Sequence, residues 1–158
     1  MFENERKSNE DIVKEYKDTV MGLCKYLSWL ESKQGANTMT TIRPDGSGVN
    51  GFSIPTYDPT LLSFIKALEQ TPYINKNYSY IYSRYTMRDY KDELRMIERA
   101  QIRDMDLLFG IFSKYVIKGR TKGFVWKEGV ENGVYYKALK KCKELIEFWD
   151  VPFDARNN

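Results

Sequence analysis

Apolar residues along this chain recur mostly at spacings of three and four, the period of helices that bury one face. Ile12, Val13, Tyr16, Val20, Leu23, Leu27 and Leu30 set the first stripe. Ser8 followed by Asp11 supplies a capping pair and Gly35 a stop, so the pattern predicts one long helix over residues 9–33. Between residues 36 and 57 the period is lost. The β-branched run Thr38-Met39-Thr40-Thr41-Ile42, the turn-prone Arg43-Pro44-Asp45-Gly46-Ser47-Gly48 and a second short strand over 49–54 predict a small β-hairpin near residues 38–54. A lone hairpin is marginal, so it is expected to lie across the helices. Asp58 and Pro59, an N-cap followed by proline in the first turn, start a second helix with Leu61, Leu62, Ile65 and Leu68 on its inner face.

Residues 75–85 fit two periods at once. Tyr78, Tyr80 and Tyr82 alternate like a strand, whereas Tyr78, Ile81, Tyr82 and Tyr85 suit a helix; a loop leading into a helix is the expectation. Met87, Tyr90, Leu94 and Ile97 then mark a helix over about 86–101. Asp104 is placed to cap another, with Leu107, Leu108, Ile111, Phe112, Tyr115 and Val116 as its buried face. A short helix over 125–132 closed by Gly133, and a last one over 134–149 burying Leu139, Cys142, Leu145 and Ile146, complete the chain. The reading is mainly α: a single compact domain over residues 1–158 with five or six helices and one small hairpin, and flexible tails at 1–8 and 153–158. At 158 residues such a chain can bury a core without metals or disulfides.

Composition removes whole classes of chemistry. There is no histidine, which excludes His-based triads, HExxH zinc sites and histidine proton relays. Two isolated cysteines, Cys24 and Cys142, on apolar helix faces point to a reducing compartment. No apolar run reaches the roughly 18–20 residues that span a bilayer, and the polar N-terminus has no signal-peptide core, so a soluble cytoplasmic protein is expected. No cofactor or metal motif is present. The net charge of +3 is unevenly placed: residues 1–58 carry seven basic and nine acidic side chains, the remainder eighteen and thirteen. An anionic partner would therefore meet the C-terminal two thirds.

Three basic clusters are candidate binding features. Residues 114–127 hold five basic side chains, no acid, Gly119 and Gly123, and three aromatic rings. Backbone N–H groups near the glycines could approach an anion, with Lys118, Arg120 and Lys122 supplying charge and Trp126 a flat surface. The spacing is not that of a P-loop, and a solvated helix-to-helix turn explains the same residues. Arg84, Arg88, Lys91, Arg95, Arg99 and Arg103 would share one face of a continuous helix, although Asp92 and Glu98 can pair with Arg88 and Arg95. Lys137, Lys140, Lys141 and Lys143 form the third cluster. Carboxylates give less: Glu128 and Glu131 share a helix face, and Asp89 and Glu93 read as helix N-terminal acids. No catalytic residue is nominated.

The order of motifs over residues 105–145 resembles the C-terminal signature of a small bacterial and prophage family known only as a domain of unknown function. The motifs are the apolar helix 107–117, Lys118-Gly119-Arg120, the aromatic turn 124–126, Val130-Glu131-Asn132-Gly133, and the helix from Leu139. Ile54-Pro55-Thr56-Tyr57-Asp58 with Phe64, Ile65 and Leu68 resembles that family's second helix start, and the likeness spans roughly residues 20–148. The family carries an Arg-Phe pair where this chain has Arg120-Thr121. The resemblance implies a helical bacterial or prophage-borne protein and no activity. The expected function is that of a non-enzymatic interaction protein binding an acidic protein or nucleic acid through a basic C-terminal face. The candidate contacts are Arg88, Arg95, Lys118, Gly119, Arg120, Lys122, Trp126 and Lys140. The alternatives are a nucleic-acid binder proper, or a small enzyme using lysine and carboxylates, which would need a concave pocket lined by at least two such groups.

Overall fold

Helix α6 (Met105–Gly119) is the centre around which the other elements pack. It is apolar nearly all round, and a helix of that kind has to be enclosed. The expected face is buried, and so are Met105, Phe109, Gly110 and Ser113 on its other side. The computed structural model describes residues 7–42 and 54–151. Most of the two expected tails lies outside the described residues. Ser8 is an exception, because its hydroxyl accepts from the Asp11 N–H at 3.0 Å and caps the first helix.

In chain order the elements are α1 (Asn9–Leu23), a 3-10 turn (Cys24–Tyr26) and α2 (Leu27–Ser32), which together follow the long helix expected there. Strands β1 (Met39–Ile42) and β2 (Ile54–Tyr57) come next, and then α3 (Pro59–Glu69), α4 (Tyr78–Arg84) and α5 (Tyr90–Arg99). A 3-10 turn (Ile102–Asp104), α6, α7 (Phe124–Glu131) and α8 (Val134–Trp149) complete the order. Counting α1 and α2 as one body gives seven helices among the described residues, more than the five or six expected. The extra one is α4, the tyrosine-rich segment whose spacing fits strand and helix alike.

The strand pair also departs from expectation. β1 and β2 are antiparallel, with Met39 opposite Tyr57 and Ile42 opposite Ile54. The second strand therefore starts where the expected hairpin ends, and runs up to the α3 cap; residues 43–53 lie outside the described residues. Asp58 caps α3 as its sequence predicts, accepting from the Thr60 N–H at 2.8 Å.

The helix expected over about 86–101 is present but starts later, as α5. α4 ends at Arg84, and Thr86 takes the left-handed backbone conformation (φ 55°) before α5 starts at Tyr90. Positive φ is unusual for a β-branched residue. The break is held by the Met87 N–H donating to the Tyr82 carbonyl at 2.9 Å and by Asp89 capping α5. Asp104, expected to cap α6, does not do so by its side chain; it accepts instead from the Gln101 N–H at 2.9 Å.

The core is aromatic at its middle. Phe64 of α3, Phe109 and Phe112 of α6 and Tyr135 of α8 are fully enclosed, with edge-on ring contacts of 5.2 Å between Phe64 and Tyr135 and 5.6 Å between Phe109 and Phe112. The buried Ser113 hydroxyl donates to the Phe109 carbonyl at 2.7 Å and accepts from the Asn75 N–H at 2.8 Å, joining the chain ahead of α4 to α6. α8 is the second spine, lying against α1, α2, α5 and α7.

The turn between α6 and α7 is far shorter than residues 114–127, because α6 continues through Gly119. Neither Gly119 nor Gly123 has positive φ, so the glycines there serve another need. A Cβ on Gly119 would sit 1.9 Å from the Trp126 ring, and one on Gly123 would sit 1.6 Å from the Tyr57 hydroxyl. Their hydrogens let two aromatic side chains close over the turn. Gly119→Ala is expected to destabilise the protein by about 2 kcal/mol through overpacking. Gly22→Ala, where nothing lies within 4 Å on exposed α1, should stabilise by about 0.5 kcal/mol. Paired urea titrations check the opposite signs, and a destabilised Gly22→Ala would show that the open space there is not real.

Candidate functional site

The basic candidates separate into two places. Arg95 of α5 joins Lys137, Lys140 and Lys141 of α8 along a groove of about 430 Å³. Leu94 and Ile97 form its apolar floor, and Glu98 and Glu144 interrupt the basic rim. The Lys141 ammonium donates to the Glu98 carbonyl at 3.1 Å, which holds α8 against the last turn of α5. Lys140 lies 5.7 Å from the Tyr136 ring centre, a cation–π distance. Two of the three clusters thus meet, through Arg95 and the α8 lysines.

The third does not. Lys118, Arg120 and Lys122 sit at the α6–α7 turn and none lines the groove. Arg120 pairs with Glu69 of α3 at 3.2 Å. The Gly119 and Gly123 positions are covered by Trp126 and Tyr57, and the Trp126 indole donates to the Val116 carbonyl at 3.1 Å. The turn is therefore a packed joint, and the anion cradle expected from its glycines is not formed. The arginine stripe is likewise dispersed by the break at Thr86. Arg84 is on α4, Arg88 in the break, and Arg103 in a 3-10 turn.

Arg88 and Arg95 both serve Asp92, whose side chain is only 8% exposed. The Asp92 carboxylate accepts from the Arg95 guanidinium, from the Arg88 backbone N–H at 2.9 Å and from the Arg88 guanidinium at 3.4 Å. These hydrogen bonds, that of Arg95 first, hold its carboxyl at about 2.

The residue that spacing undervalued is Glu93. Read as a helix N-terminal acid, it is fully buried. Its Oε2 accepts from the Tyr82 hydroxyl and the Lys114 ammonium, each at 2.6 Å, and its Oε1 from the Tyr115 hydroxyl at 2.5 Å. Asn132 donates in turn to the Tyr115 oxygen at 3.2 Å, while its own carbonyl accepts from the Val134 N–H at the start of α8. Lys114 also lies over the rings of Tyr82 and Tyr115, at 5.2 and 4.8 Å. Burial, and then the Glu93 charge, push both phenols well above the tyrosine range, so they stay protonated donors. One signal for this was present: Glu93 lies three residues after Tyr90 and four before Ile97, inside the apolar stripe of its helix.

Lys114, Tyr115 and Asn132 also line a cleft of about 450 Å³, where Gly35, Tyr90, Glu128 and Glu131 complete the wall. Lysine and two carboxylates therefore face one concavity, as an enzyme of the kind considered above would need. Among the described residues no group of three or more histidine, cysteine or acidic side chains is placed to hold a metal ion. Cys142 is buried and Cys24 half-buried; both are free, and burial pushes both thiols up, away from reactivity. No helix among the described residues is long and apolar enough to cross a membrane.

The chain matches no family model, no curated protein sequence and no solved structure.

Lys114→Met leaves a buried carboxylate without its counter-ion and is expected to cost about 3 kcal/mol in urea titration. Adding Glu93→Leu should cost less than the two single changes together, and strict additivity would refute the coupling. Acid should also destabilise the protein. Asp92 titrates lower folded than unfolded, so its contribution is complete above about pH 4 and is lost as pH falls toward 2. Asp92→Asn should remove that part of the pH dependence of stability, and an unchanged profile would contradict it.

Proposed function

We propose that this is a non-enzymatic, intracellular interaction protein whose α5–α8 groove receives an acidic segment of a protein partner. The observation that carries this reading is the meeting of Arg95, Lys137, Lys140 and Lys141 on one groove with an apolar floor. Half-buried Leu94 and the lysine stems offer contact to an apolar helix face, and the ammonium groups offer charge to acidic residues flanking it, the pattern of helix-in-groove recognition. With Arg95 paired to Asp92, three lysines against Glu98 and Glu144 leave the rim with a small positive excess. Nucleic acid is the second reading. It is less well supported, because Glu98 and Glu144 oppose a continuous run of phosphates and no aromatic ring among the described residues lines the groove for base stacking. The free cysteines support an intracellular setting.

The test uses a fluorescent amphipathic peptide with one glutamate-rich face, titrated by anisotropy across a salt series. Binding should weaken steeply with salt, and Lys137→Glu with Lys140→Glu should lower affinity by about tenfold or more. Changing Lys118, Arg120 and Lys122 to Glu should leave it nearly unchanged. Salt-independent binding, or an equal loss from the second variant, would overturn the assignment to the groove. Tighter binding of a single-stranded oligonucleotide would transfer the groove to nucleic acid.

A further inference from the structure

We propose that the cleft where α5, α6 and α7 meet binds a small molecule carrying a primary ammonium group. Its volume, about 450 Å³, falls within the range of small-ligand pockets. The site is separate from the α5–α8 groove and does not depend on what the groove binds.

Charge gives the first reason. Lys114 lines the cleft but is committed to the buried Glu93 at 2.6 Å, and Glu131 is paired with Lys127 at 2.5 Å. Glu128 makes no ion pair among the described residues, so one carboxylate is left over in the cleft wall. Glu128 and Glu131 lie three apart on α7 and share a face, so the unmatched Glu128 charge adjoins the Lys127–Glu131 pair. Tyr90, with 43% of its surface exposed, adds a ring beside them, and aromatic faces attract ammonium groups.

Rigidity gives the second. A ligand site needs side chains whose positions are fixed before the ligand arrives. Here Glu93, with no exposed surface, fixes both Lys114 and Tyr115 from behind, and Asn132 is fixed by Tyr115 on one side and the Val134 N–H on the other. The polar floor is therefore prebuilt.

The same floor separates two sources of the ammonium. Lys114 has three N–H donors and the Asn132 amide two; one of each is engaged within the protein. The remaining donors suit a carboxylate on the ligand, as in a free amino acid. A linear diamine would use the acidic wall and leave those donors to water.

Isothermal titration at millimolar ligand, with free amino acids, linear diamines and N-acetylated amino acids as probes, tests the site. An ammonium-bearing probe should bind saturably, and its N-acetylated counterpart should not. Preference for the amino acid over the diamine would identify the Lys114 end as a carboxylate contact; the reverse would limit recognition to the acidic wall. Glu128→Gln, an exposed change that leaves the fold intact, should weaken binding about tenfold or more. Amide shifts in a nitrogen–proton correlation spectrum should cluster at Tyr90, Lys114 and residues 128–132. No saturable binding of any ammonium-bearing probe, equal binding of the N-acetylated form, or unchanged affinity in Glu128→Gln would each overturn the proposal.

Discussion

A carboxylate taken wholly out of water has to be met by donors on every side, and the placement of Glu93 depends on that requirement. Its three donors come from α4 and α6, and the Tyr115 hydroxyl continues the chain of hydrogen bonds to Asn132 at the head of α8. α5 already lies along α8; Glu93 ties its other side to the centre of the protein. An apolar side chain could fill the same space, but it would leave the Lys114 ammonium and the two tyrosine hydroxyls without their acceptor. It could not fix the direction in which Tyr82, Lys114 and Tyr115 point, and that directional control is what the buried acid supplies.

α5 therefore presents two working faces. Arg95, Leu94 and Glu98 look toward α8 and its lysines, while Glu93 and Tyr90 look toward α6 and α7. The helix is anchored at its start by Asp89 and Asp92, which accept from the Asp92 and Arg88 backbone N–H groups just after the Thr86 break. A left-handed residue at the break and charged side chains inside it are what allow α4 and α5 to diverge, so that the Glu93 carboxylate of α5 can be reached from α4 as well as from α6.

Much of this architecture is written in the apolar spacing. The α1 stripe, the Asp58-Pro59 start of α3, the Gly133 turn and the span of α8 follow from local rules that tertiary packing had no cause to override. Thr86 was not legible, because positive φ at a β-branched residue is imposed by surrounding contacts and opposed by local preference. Nor was the meaning of Gly119 and Gly123, which a count of turn-formers reads as freedom and the fold uses as room for Trp126 and Tyr57. The groove was half legible: the basic clusters were visible, but only the crossing of α5 on α8 decides that Arg95 faces Lys137, Lys140 and Lys141 while the turn residues face elsewhere. The cleft was visible only as fragments, since Glu128 and Glu131 gain their setting from Tyr90 and Lys114, distant in sequence.

The four side chains centred on Glu93 also constrain how this sequence can change over time. Loss of the acid strands an ammonium and two hydroxyls, and loss of any donor leaves the acid short of one, so single replacements at positions 82, 93, 114 and 115 pass through a less stable intermediate. Related chains should accordingly keep the set whole or exchange it together, an all-or-none covariation that would mark descent more reliably than the lysines of the surface.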